Sequence, residues 1–171
     1  MAQVTAFLSF DQTTVDFNWI YWGNSEFYNN VYENIDGKIY EDMSLVAYDT
    51  GDLYYANIVA GKGLGANGYG EVVSGQITGF FQGVSADDYT YYDHFFVTGI
   101  SISGSDFYRA TASASTLDDQ ALIVRALAGN DRFDLSNYAD RAQGHGGNDL
   151  MYGNGGNDTL DFSGFSQNQK I

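Results

Sequence analysis

An aspartate recurs every nine residues late in the sequence, at Asp131, Asp140, Asp149 and Asp158, with an apolar Phe133, Ala142, Met151 and Leu160 two places after each. The last two copies, Gly144-His-Gly-Gly-Asn-Asp149-Leu-Met-Tyr152 and Gly153-Asn-Gly-Gly-Asn-Asp158-Thr-Leu-Asp161, are nearly superimposable. A short fixed period marks a structure built by stacking, because one unit alone cannot bury its apolar residue. With six residues of each unit in a turn and three in a short strand, two units make one coil and residues eighteen apart lie above one another. Asp131 is therefore expected under Asp149 and Asp140 under Asp158, with the apolar stripe pointing into the roll.

Glycine lets such a turn adopt positive φ and aim its carbonyls at one point. Stacked carbonyls and carboxylates then supply the six to eight oxygens that Ca²⁺ prefers. The expected metal ligands are Asp131, Asp149, Asp140 and Asp158, with the turn residues Gly129, Asn130, Gly144, Gly146, Asn148, Gly153, Gly155 and Asn157. A glycine-rich disordered tail is the competing reading, but disorder does not hold a nine-residue register through four units.

At these residues the chain resembles the RTX family of bacterial type I secreted proteins, whose repeat is Gly-Gly-x-Gly-x-Asp-x-apolar-x, over roughly residues 126–165. Upstream, Ile100-Ser-Ile-Ser-Gly104 and the stretch from Ser115 to Asp131 resemble the lead into such repeats in many calcium-binding proteins of this family. The final Asn157-Asp-Thr-Leu-Asp-Phe-Ser-Gly-Phe-Ser-Gln-Asn-Gln-Lys-Ile171 is similar to a β-roll segment of the serralysin metalloproteases. The resemblance implies Ca²⁺-triggered folding after export as an unfolded chain, and a secreted, extracellular or cell-surface location. Two departures stand out: unit 135–143 has no glycine, and Gln167 stands where the next aspartate would fall.

Composition narrows the rest. A chain of 171 residues with 44% apolar content can fill a sizeable core. It has no cysteine and no proline, so stability outside the cell must come from packing and metal. A net charge of −15, from 22 acids against 7 bases, disfavours nucleic acid and anionic membranes and favours divalent cations. No segment approaches the roughly 20 apolar residues of a membrane span, which predicts no membrane insertion. Residues 1–8 have neither a basic start nor a long apolar run, which predicts no Sec signal peptide and suits type I export.

Residues 1–104 are expected to form an antiparallel β-sandwich or barrel, an all-β domain of about eight short strands. Segments 4–10 and 15–22 are β-rich, and 31–35 and 38–41 flank Asp36-Gly37, a strong hairpin signal. Segments 44–48 and 53–59 are joined by a tight turn, and 71–81 and 89–103 complete the set. Residues 105–128 are expected as a helical connector capping the roll, with a short helix at 105–111 and a better one from Ser115 or Thr116 to about Ala128. Its apolar face is expected to be Leu117, Ala121, Leu122, Val124, Ala126 and Leu127, plugging the open end of a two-coil parallel β-roll at 129–171.

Other signals favour ordinary readings. Gly63-Leu-Gly-Ala-Asn-Gly68 matches the dinucleotide fingerprint, but the following residues alternate as a strand, so a glycine-rich hairpin loop is expected. His94 and His145 are isolated, no His-Glu-x-x-His or Gly-x-Ser-x-Gly is present, and the protease chemistry of serralysins does not transfer. The adjacent acids Asp87-Asp88 and Glu41-Asp42 would point to opposite faces of a strand. No catalytic residue and no enzymatic activity are expected. In a strand, Phe17, Trp19 and Tyr21 would share one face and Ile20 and Trp22 the other; the ordinary reading is sandwich core with tyrosines half exposed on the rim, and the alternative is that one face is a sugar-stacking platform or a protein interface.

The expected function is thus a secreted bacterial calcium-binding RTX protein, an extracellular structural or adhesive module that self-associates or meets a surface glycan or protein. The alternative is a non-catalytic carbohydrate- or protein-binding module of a larger type I secreted hydrolase.

Overall fold

The computed structural model describes residues 1–87 and 90–163. The chain runs through β1 (Gln3–Ala6), α1 (Asn18–Trp22), β2 (Asn24–Tyr28), β3 (Glu33–Ile35), β4 (Lys38–Tyr40), β5 (Asp42–Asp49), β6 (Tyr54–Ala66), β7 (Val72–Ser85) and β8 (Tyr92–Ser103). Helices α2 (Gly104–Thr111) and α3 (Thr116–Ala126) follow, then β9 (Arg132–Asp134), β10 (Arg141–Gln143), β11 (Leu150–Tyr152) and β12 (Thr159–Asp161). This is the all-β architecture expected: antiparallel strands, a short helical connection and parallel strands. The main sheet is open, with hydrogen-bonded order β11-β9-β1-β8-β7-β6-β5-β2, and β10–β12 and β3–β4 form separate pairs.

Strands β5 to β8 are a meander in which sequence neighbours pair antiparallel. The Asp36-Gly37 hairpin forms between β3 and β4, with both residues at the positive φ a type I′ turn requires (50° and 75°). The 63–68 glycines lie mostly in the bulged end of β6, not in a loop. They admit close backbone contact: a Cβ on Gly75 of β7 would stand 2.3 Å from the Gly63 carbonyl oxygen.

The aromatic run 15–22, expected as a strand, contains the helix α1. The Asp16 carboxylate accepts from the Asn18 amide at 2.8 Å, and Asp119 Oδ2 accepts from the Phe17 amide at 2.9 Å. Phe17 and Ile20, three apart, then share the buried side, leaving Trp22 78% exposed. The buried side of α3 also differs from expectation. Asp119, Leu122 and Ile123 turn inward, followed by Leu127, whereas Leu117, Ala121 and Val124 are exposed.

One face of the main sheet carries the larger core, where Val4, Val59, Ile77, Phe80, Phe95 and Ile102 meet Phe107, Leu122, Ile123 and Leu127. The roll shares this core. Phe133, Met151 and Ala142 are buried within it, and Leu160 packs against it half-buried. Fully burying a side chain of this size contributes about 1.5–3 kcal/mol. Met151, Phe133 and Val4 lie in one row, because β11, β9 and β1 pair parallel in register. Strand β1, rather than the expected helical plug, therefore covers the first edge of the roll; α3 leads into it. The opposite sheet face holds a smaller cluster of Tyr40, Ala60 and Phe81.

Candidate metal centre

Two glycine-rich turns repeat the same backbone. His145 and Asn154 take left-handed φ of 64° and 61°, and Gly147 and Gly156, two residues later, take 105° and 109°. A Cβ on Gly147 would stand 2.1 Å from the Gly129 carbonyl oxygen, and one on Gly156 2.2 Å from that of Tyr138. Glycine is thus demanded twice, by dihedral angle and by the turn beneath. The turns form two columns, 126–131 under 144–149 and 135–140 under 153–158, following the pairing of β9 with β11 and β10 with β12.

The aspartates tie each column vertically. The Asp131 amide donates to Asp149 Oδ1 at 2.7 Å, and the Asp140 amide to Asp158 Oδ1 at 3.0 Å. One level lower, the Ala2 amide donates to Asp131 Oδ1 at 2.5 Å and the Phe10 amide to Asp140 Oδ1 at 2.6 Å. The backbone repeats this correspondence. Leu150 N donates to Asp131 O as Arg132 N does to Ala2 O, and Thr159 N donates to Asp140 O as Arg141 N does to Phe10 O. Ala2 and Phe10 hence stand at aspartate positions, and residues 2–11 occupy the place of a further coil.

The columns differ in their remaining carboxylate oxygens. Asp131 Oδ2 and Asp149 Oδ2 are buried and accept no hydrogen bond. Asp140 Oδ2 accepts from both the amide and the hydroxyl of Ser136, each at 2.8 Å. Burial pushes the Asp131 carboxyl above the ordinary carboxylate range, opposed by the Ala2 amide. Burial does the same to Asp149, opposed by the Asp131 amide. Two ionised oxygens buried without donors are costly. A bound cation removes that cost. Among the described residues no three His, Cys, Asp or Glu side chains converge. An ion in this column needs backbone carbonyls to complete its shell, which suits a hard, oxygen-seeking cation of flexible geometry.

Residues 125–160 match the family model of the RTX calcium-binding nonapeptide repeat, in four copies. These residues are RTX repeats. Calcium is the ion such repeats bind, and the unpartnered oxygens of Asp131 and Asp149 fit it. No curated protein and no solved structure matches the chain. The family match ends at residue 160, short of most of the serralysin-like stretch, and residues 164–171, with Gln167, lie outside the described residues.

In the first RTX column, Gly129, Asn130 and Asp131 lie under Gly144, Gly146, Asn148 and Asp149. The Asn130 side chain is engaged by the Asn148 amide at 2.8 Å. In the second, Gly153, Gly155, Asn157 and Asp158 lie over a turn without glycine. Gly153 leaves room for a carboxylate: its Cβ would stand 2.4 Å from Asp158 Oδ2. Sequence reasoning passed over Gly147 and Gly156, although the Gly-Gly doublet before each Asn-Asp marked them. It also passed over Ser136, which no repeat pattern marks. His145, in the turn 144–149, is held by Gln12: Gln12 Nε2 donates to its Nε2 at 2.8 Å, while Gln12 Oε1 accepts from the Gln143 amide.

Proposed function

We propose that this chain is a secreted bacterial calcium-binding module with a structural or adhesive role, which locks its RTX roll on calcium outside the cell. The carrying observation is the Asp131–Asp149 column, whose buried, unpartnered oxygens stand one hydrogen bond from β1 of the main sheet. Asp131 and Asp149 hold the ion together with carbonyls of turns 126–131 and 144–149. The second column holds itself through Ser136 without needing one. Calcium supplies charge neutralisation at the column; the chain's own amides keep the carboxylates in place.

The module is non-catalytic in this reading. His94 spans Gln82 Oε1 and the Ser9 carbonyl, and His145 pairs with Gln12, so neither histidine faces a hydroxyl nucleophile. Neutralising part of a −15 charge also lowers the repulsion between copies, which favours calcium-linked self-association.

The test is calorimetric titration of the purified chain with calcium and with magnesium, paired with sedimentation in each ion. Saturable calcium binding, with magnesium ineffective and larger species in calcium, is expected. Absence of calcium binding would refute the reading; a calcium-bound monomer would remove self-association from it. A cleft lined by aromatic and amide side chains favours a binding role for the same module.

A further inference from the structure

We infer that the cleft between α1, the segment 9–16 and strands β5 to β8 binds a neutral sugar ring. It has a volume of about 340 Å³, at the small end of ligand sites. It gives the proposed adhesive module a ligand, and does not depend on how many ions the roll holds.

Three features of the cleft converge on this chemistry. Its wall is a ladder of rings: Trp19 stacks on Tyr48 at 6.0 Å and 17°, and Tyr48 on Tyr55 at 5.2 Å and 22°. Trp19 is 44% exposed, so a large aromatic face stands at the edge of a polar cleft. Aromatic side chains combine large apolar contact area with little conformational entropy to lose, which suits the C–H face of a pyranose.

The floor is an amide relay. Gln82 Nε2 donates to Asn57 Oδ1 at 2.8 Å, and His94 bridges Gln82 Oε1 and the Ser9 carbonyl at 2.8 and 3.0 Å. Asn57 is 0% exposed and lines the floor of the cleft. It lies close enough to the Tyr48 hydroxyl to oppose, in part, the burial that pushes that phenol up to about 12. The side-chain amides of Gln82 and Asn57 offer a ligand hydroxyl both donor and acceptor groups at the floor of the cleft.

Charge narrows the choice further. Asp11 and Asp16 line the cleft and, among the described residues, no lysine or arginine does, so phosphorylated ligands and sugar acids would be repelled. The rings form a ladder instead of converging as a cage on one point, which weighs against a quaternary ammonium.

The test is titration in saturating calcium with methyl glycosides of neutral hexoses and N-acetylhexosamines, with glucuronate and choline as contrasts, followed by tryptophan fluorescence and calorimetry. At least one neutral glycoside is expected to bind saturably and shift the fluorescence, while glucuronate and choline do not. Trp19→Ala should weaken that binding at least about tenfold with the melting temperature retained. Trp22→Ala, at a 78% exposed position outside the cleft lining, should leave it unchanged. If Trp19→Ala unfolds the protein, Trp19→Leu keeps the bulk without the π face and should weaken binding likewise. Choline binding alone, no glycoside binding in the millimolar range, or indifference to the Trp19 substitutions would overturn the inference. Because calcium occupancy is measured separately, failure here is distinguishable from failure of the calcium reading.

Discussion

At the scale of single residues, the two aspartate columns answer different needs. Asp140 accepts hydrogen bonds from Phe10, from the Ser136 amide and from the Ser136 hydroxyl, so its carboxylate is a structural hub. Asp149 accepts from Asp131 through one oxygen and leaves the other buried and unpartnered. Asp149→Ala should therefore lower calcium affinity by about tenfold or more. Asp140→Ala should change affinity far less but lower the melting temperature in chelator, because buried donors lose their acceptor at about 1–3 kcal/mol each. Calorimetry and thermal melts of both variants check this, and equal losses of affinity would contradict the assignment. The ladder was legible in the sequence because stacking at eighteen residues is a local, periodic property. The missing glycines of 135–143 also marked that turn as different from the others in the sequence. Ser136 as the double donor to Asp140 Oδ2 was not legible, since one serine in an aperiodic turn has no pattern to betray it.

At the scale of elements, the sequence placed the meander, the type I′ hairpin and both later helices correctly but misread residues 15–22. Their aromatic and β-branched content favours a strand, and what overrides it is tertiary. Asp119 reaches from α3 to take the Phe17 amide at the start of α1. The same inward turn of α3 upset its expected apolar face, since a carboxylate occupies a position where periodicity alone asks for an apolar residue. Asp119 is 0% exposed, and one of its oxygens has no partner. Burial, with Asp16 and Asp118 nearby and partly offset by the Phe17 amide, pushes its pKa from 3.8 up to about 6. The folded state thus holds this proton more tightly than the unfolded chain. The group's favourable contribution is complete below the unfolded value and is lost as pH rises through about 6. Asp119→Asn keeps an acceptor for Phe17 without the charge. It should match the parent protein near pH 4 and exceed it at pH 7, by on the order of 1–2 kcal/mol, or a few degrees in melting temperature. Melts of both proteins across that range decide the matter; a constant difference would show that Asp119 does not titrate as described.

At the scale of the whole molecule, the decisive contact is one that no local pattern announces. Strand β1 pairs antiparallel with β8 and parallel with β9, so one four-residue strand belongs to both the meander and the roll. Its partners lie 89–95 residues away in β8 and 129 residues away in β9, and the string Gln3–Ala6 reads only as a strand. This pairing resolves the energetic difficulty of a two-coil roll, which is too short to bury its apolar row alone. Residues 2–11 add a further level, and Val4 continues the row of Phe133 and Met151 into the main core. Calcium bound at the Asp131–Asp149 column should then stabilise the entire sheet rather than the roll by itself. An ion that binds only the folded state contributes about 2.7 kcal/mol at one hundred times its dissociation constant. For a chain of this length that corresponds to a rise of roughly 5–10 °C in melting temperature. Trp19 and Trp22 both sit in α1, outside the repeats, and so report on the meander side of the molecule. Their fluorescence should shift with calcium by the same increment as the far-ultraviolet dichroism of the whole chain, in one transition. Two separate transitions, with calcium moving only the one that tryptophan does not see, would show that β1 does not couple the roll to the sheet.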